Sequence, residues 1–360
     1  MESPFSIRLL LASALAGLAG CASPPPPPLE PDPLPQSELD RFLDAGRDAR
    51  TYGITTYHEP SGARFEFANR VHPHRAARLN LASPRTMPVP FIRARAGRGM
   101  DCHLLLDTSA RQNWLLLSSV PAMDYRPFKP PTGEYPDHVL ASIPGYAGVG
   151  NKVIFDHLHM ESPVFYIPPA RGGLGALARA QESLDDDPER LEERRLLGTR
   201  TLGVFGAAAM RSFSFIRFDF PKRTVLFATD APYRPMEPDQ VRATPLLRDW
   251  RGRPAIEASL GGETIRMVID TAGDFDVSLP PGTPANGPLA LGRHVISDVQ
   301  FSTHDDHGLP PDFPARLGLG VLSRYSVTLD TKQRRLWLER DDPDDPLQFD
   351  PEDPENPVPD

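Results

Sequence analysis

Two aspartates stand at matching places in this chain. Asp107 ends the apolar run of "LLLDTSARQNWLLLSS", residues 104–119, and Asp270 ends that of "MVIDTAGDFDVSLP", residues 267–280. Each is followed by threonine and then by small residues: Thr108-Ser109-Ala110 and Thr271-Ala272-Gly273. A carboxylate at the end of a buried strand is costly unless it is paired or hydrogen-bonded. One such Asp-Thr is an ordinary strand-end cap or turn, and a lone threonine there is an ordinary β-former. Two can be brought face to face by an approximate twofold axis. Carboxylates that close share one proton and titrate as a pair. One can then deprotonate a held water while the other protonates a substrate carbonyl. That chemistry hydrolyses peptide bonds without a covalent intermediate.

The flanking elements repeat too. "VPFIRARAGRGMDCHLLLDTSA" and "RPAIEASLGGETIRMVIDTAGD" each carry a proline, an alternating strand, a Gly-centred turn and a second strand ending on Asp-Thr. Each predicts a β-hairpin. The copies also close alike, with "LGVFGAAAMRSFSFIRFDFPKRTVLFA" and "LGLGVLSRYSVTLDTKQRRLWLE". Each reads as an apolar pair and a glycine, a short helix, a strand, a turn at Asp219 or Asp330, and a last strand. The chain is thus an internal duplication.

These motifs resemble the aspartic proteases, both retropepsin-like and pepsin-like. The matches are Asp107-Thr108-Ser109-Ala110 and Asp270-Thr271-Ala272-Gly273, with later segments Val204-Phe205-Gly206 and Arg316-Leu317-Gly318, across about residues 85–340. The resemblance implies a mainly β fold: two similar closed β-barrel-like lobes with a cleft between them. It implies an aspartic-type endopeptidase with Asp107 and Asp270 as the dyad. Thr108 and Thr271 would cross-link the two loops, and Ser109, Ala272, Gly206 and Gly318 would support them. Both aspartates come from one chain, so a monomer suffices, and the partner is a peptide or protein substrate. A flap is expected in "SIPGYAGVGNKVIF", with Tyr146 touching substrate. The alternative is a catalytically inactive protein of the same fold that binds peptides or envelope components.

The chain departs from the family pattern at three places. Ser109 and Ala272 stand where the family has glycine, and Arg316 stands where the first apolar residue belongs. A positive φ at either third position would cost about 1–2 kcal/mol.

The remaining sequence sets the context. Residues 1–20 read as a signal peptide, because "IRLLLASALAGLAGC" has a short apolar run that is too brief to span a bilayer. Leu18-Ala19-Gly20-Cys21 resembles the bacterial lipobox, which implies lipidation at Cys21. Ala22 follows, which by bacterial sorting rules implies an outer-membrane lipoprotein facing the periplasm. Residues 21–45 form a Pro-rich linker, 46–235 a first lobe, 236–340 a second lobe and 341–360 an acidic disordered tail. A short helix is expected in "SELDRFLDAGRDA", and a polar one across residues 176–197. The 43 prolines favour turns and strand edges over long helices. Net charge is −9 and no basic stripe is present, which excludes a nucleic-acid surface.

Cys102 is the other cysteine, so no internal disulfide is expected and a buried core role is. "THDDHG", with His304, Asp305, Asp306 and His307, reads as a solvated loop rather than a metal site. His157 and His159 are expected to alternate along one half-exposed strand face. "GGLGAL" is not a complete phosphate loop, and no cofactor is implied.

Overall fold

A computed structural model describes residues 46–339 except 60–61, 67–69, 73–74, 84–88, 98, 116–122, 130–145, 168–200, 236–241, 250–251, 286, 293, 297, 308, 310 and 312. The signal peptide, Cys21, the linker, the expected helix over 176–197 and the acidic tail lie outside these residues. Among them, no helix is long and apolar enough to cross a membrane.

The fold is mainly β and bilobal. Phe91–Ala96 pairs antiparallel with Met100–Asp107, turning at Gly97 and Gly99, both with positive φ. Pro254–Leu260 pairs in the same way with Glu263–Ile269, turning at Gly261 and Gly262. These positions need glycine because the turns enter the left-handed region. The strands leading to the aspartates are exposed near the hairpin and buried at the end. Their last residues are covered on both edges. Thr201–Gly206 runs parallel to the first, aligning Gly206 with Asp107, and Ala315–Leu317 runs parallel to the second.

Each half then follows one path. A four-residue helix, Ala207–Met210 or Leu319–Leu322, leads to a hairpin. The hairpins are Phe215–Asp219 with Thr224–Ala228 and Ser326–Asp330 with Arg335–Glu339. Arg223 and Arg334 take matching positive φ values of 54° and 55° in their turns. The two hairpins pair with each other through Phe215–Asp219 and Ser326–Asp330. Ala76–Asn80 and Arg242–Pro245 complete a six-stranded sheet drawn from both halves. An eleven-stranded sheet holds the first aspartate loop and an eight-stranded sheet the second.

One hydrophobic cluster runs through both lobes, including Leu104, Leu106, Ile256 and Ile269. Phe155, Phe205, Phe213 and Phe227 pack ring against ring within it, the closest centroids 4.8 Å apart. Cys102 is buried there, its thiol directed at the Ala94 carbonyl and pushed up to about 12 by burial and by Asp101.

Three expectations change. Arg47–Asp48 is a strand parallel to Phe128–Lys129, not the end of a helix, and a 3-10 turn capped by Asp48 follows. His157 sits in a turn after Asp156 (φ 53°), and only His159 lies on a strand. Aspartate tolerates the left-handed geometry, so the run breaks into a tight hairpin. "THDDHG" is not wholly solvated. His304 is fully buried, bonded at Nδ1 to Ser278 Oγ (2.8 Å) and at Nε2 to the Phe313 carbonyl (3.0 Å).

Candidate active site

The two Asp-Thr loops meet. Thr108 Oγ1 donates to the Ile269 carbonyl (2.6 Å), and Thr271 Oγ1 donates to the Leu106 carbonyl (2.7 Å). Each hydroxyl also accepts the other threonine's amide at 3.1 Å. Both threonines are fully buried. Four reciprocal hydrogen bonds therefore lock the loops together in a dry interior, where an unmade bond would be expensive.

The aspartates differ in their surroundings. Asp107 Oδ1 accepts from the Ser109 amide (2.8 Å), the Ser109 hydroxyl (2.7 Å) and the Ala110 amide (3.1 Å). Asp270 Oδ1 accepts from the Ala272 amide at 3.1 Å. Its Oδ2 takes a 2.8 Å hydrogen bond from Arg316 Nη1, and the two side chains are only 2% and 6% exposed. The same nitrogen donates to Ser109 Oγ at 3.2 Å. A continuous chain thus runs from Asp107 through Ser109 and Arg316 to Asp270. Burial raises the Asp107 pKa above the usual carboxylate range, and the Asp270 charge raises it further. The Ser109 hydroxyl and Arg316 oppose the rise.

Arg316 rests on an aromatic ring that it shares with a second, buried arginine. Its guanidinium carbon lies 5.1 Å from the Phe313 ring centroid. Arg253, itself in a buried ion pair with Asp249, lies 5.2 Å from the same ring. The platform fixes where the guanidinium points, and Nε has no hydrogen-bond partner among the described residues. Burial, with a contribution from the Arg316 charge, holds the His304 imidazole below its usual range.

The supporting positions follow from sterics. Gly206 and Gly318 are extended, with φ near −95° and −98°, so strain is not the reason for glycine. A Cβ at Gly206 would fall 2.2 Å from the Gln112 carbonyl oxygen, and one at Gly318 2.1 Å from that of Phe275. Neither Ser109 nor Ala272 has a positive φ, so the missing glycines store no backbone strain. Asn113, which the sequence did not single out, is fully buried. It accepts the Gly206 amide (2.9 Å) and donates to the Val164 carbonyl (2.9 Å). Its signal in the sequence was an amide six residues after a strand-end carboxylate.

The expected flap pairs differently. Tyr146 lies on Tyr146–Val149, whose neighbours are Arg126–Lys129 and Val164–Ile167. The following strand, Lys152–Phe155, pairs elsewhere, so "SIPGYAGVGNKVIF" is not one hairpin. Gly148 and Gly150 within it serve close packing. A Cβ at Gly148 would fall 2.5 Å from the Arg126 carbonyl, and one at Gly150 2.4 Å from Met123 Cε. Among the described residues, no group of three or more His, Cys, Asp or Glu is placed to hold a metal ion.

No protein-family model matches the chain, and no curated protein matches it. Among solved structures, conglutin gamma, a basic 7S globulin from lupine seeds, is similar at 12% identity and a TM-score of 0.41. The match covers 75% of this chain and 96% of that one. Basic 7S globulin from soybean is similar at 12% identity and a TM-score of 0.41, over 74% and 95% of the two chains.

Proposed function

We propose that this protein binds extended polypeptide on an aspartic-protease-like frame without hydrolysing it. The observation that carries this reading is the Arg316 guanidinium bonded to both Asp270 and Ser109. A dyad hydrolyses peptides only if one carboxylate is free to take a proton from water. Asp270 already has one oxygen on a cation and the other on an amide. A carboxylate neutralised by arginine is a poor base, and nearly all of it is shielded from solvent. The site becomes a charge-compensated knot that holds two lobes in register. An extended peptide would lie between them as a strand. By the lipobox resemblance, the chain would be carried on a lipid at Cys21 on the outer membrane, facing the periplasm.

A second reading, an aspartic endopeptidase, is favoured by the intact threonine cross-links and by the raised pKa of Asp107, which suits a general acid. Digestion of an unfolded protein by the chain from residue 22 onward separates the two, with peptide binding measured in parallel from pH 3 to pH 8. Binding without cleavage is expected. Cleavage that disappears in Asp270→Asn would overturn the first reading and establish the second.

A further inference from the structure

A second cavity lies away from the aspartates. It is a partly open hollow of about 50 Å³ between the helix Ala207–Met210, the six-stranded sheet and residues 246–254. None of the Asp-Thr residues lines it. Met210, Ile216, Leu246 and Leu329 form its apolar floor, all buried in the fold. Arg248 and Arg334 stand exposed on its rim. Neither has an acidic partner among the described residues. An apolar floor under unpaired cations suits an apolar group flanked by carboxylates.

The chain carries such a group. Residues 341–360 read "DDPDDPLQFDPEDPENPVPD", where Leu347 and Phe349 are flanked by Asp344, Asp345 and Asp350. In extended chain, residues two apart face the same side. The prolines favour that extended form and reduce the entropy lost on docking. The reach is sufficient. Arg334 stands at the start of Arg335–Glu339, and the chain leaves at its far end, about 17 Å away at ~3.4 Å per residue. Residues 340–346 span up to roughly 24 Å when extended, enough to return to the rim. Tethering supplies an effective concentration on the order of millimolar, so modest intrinsic affinity fills the site.

We infer that the acidic C-terminal tail docks in this cavity, with Leu347 and Phe349 on the apolar floor and its aspartates on Arg248 and Arg334. Docking would cover the cavity with the chain's own tail and fix the tail against the sheet that joins the two lobes.

The test uses the full chain with a photo-crosslinking phenylalanine analogue, p-benzoylphenylalanine, at position 349. Crosslinks should map within residues 207–216, 246–254 and 329–334, in monomers, at a yield independent of protein concentration. Arg248→Glu with Arg334→Glu should lower the yield roughly tenfold, as loss and reversal of two exposed charge pairs requires. Leu347→Asp should lower it with the cavity untouched, and 1 M salt should lower it in the parent. Crosslinks scattered over the surface, or an unchanged yield in the charge-reversed chain, would overturn the assignment. So would crosslinks between two copies, or a small anion found in the cavity by native mass spectrometry while the tail fails to crosslink.

Discussion

Replacing Arg316 by leucine tests the electrostatics of the site most directly. The Asp270 side chain is 2% exposed, and Arg316 supplies its cation. After Arg316→Leu the carboxylate keeps the Ala272 amide at 3.1 Å but has no counter-charge. Removing one partner of a buried ion pair costs about 3–5 kcal/mol, because the other charge is left uncompensated. Domains of this kind are stable by only about 5–15 kcal/mol, so the loss should be plain in a urea titration at pH 7. The deficit comes from a charged carboxylate left without its cation. Arg316→Leu with Asp270→Asn removes both charges. That pair should recover to within about 1–2 kcal/mol of the parent, since a buried pair replaced by neutral groups is close to neutral in cost. A single variant within about 1 kcal/mol of the parent at pH 7 would refute the reasoning, because a bare buried carboxylate cannot be that cheap. A double variant as unstable as the single one would refute it too, by showing that packing on Phe313 carries the effect.

Other outcomes are equally specific. Asp107 has a raised folded pKa, so below about pH 3.9 it is protonated in both states and affects nothing. Above that, the unfolded chain releases the proton while the folded one retains it, and stability falls until the folded pKa is passed. The stability of the parent minus that of Asp107→Asn should therefore decline from pH 4 upward in urea titrations; a difference that climbs with pH contradicts the shift. Thr271→Val removes the donor to Leu106 and the acceptor for Thr108, and should cost about 2–4 kcal/mol by thermal or urea unfolding. A cost under about 1 kcal/mol would mean that the cross-link does not hold the loops. Gly206→Ala places a Cβ 2.2 Å from the Gln112 carbonyl, and overpacking of this kind costs about 1–3 kcal/mol. An unchanged melting temperature would show that the 110–113 loop yields freely.

The local elements were written in the sequence. Alternation and a glycine turn specify each Asp-Thr hairpin, and repetition shows that both halves follow one path. What escaped was long-range. "SIPGYAGVGNKVIF" has the glycines of a mobile hairpin, but Gly148 and Gly150 permit close packing against Arg126 and Met123. Polarity made "THDDHG" look solvated, yet His304 is buried because Ser278 and Phe313 satisfy both ring nitrogens. Arg316 was visible as a charge in an apolar place. Its partners, 46 and 207 residues away, were not, because no periodicity links a strand to loops so distant along the chain. The two oddities at Ser109 and Arg316 are in fact one contact.

The six-stranded sheet has a consequence for how the chain comes to be. Phe215–Asp219 finds its neighbour Ser326–Asp330 only after the second half has been synthesised. Roughly a hundred further residues must emerge, which takes about 5–20 s at 5–20 residues per second. During that interval the first half presents an unpaired strand edge ready to zip onto any other chain. Residues 163 apart must then close on each other before Thr108 and Thr271 can bond. Distant pairing of this kind is slow to nucleate. The newborn first half therefore carries, for those seconds, an open β-edge that the finished fold covers.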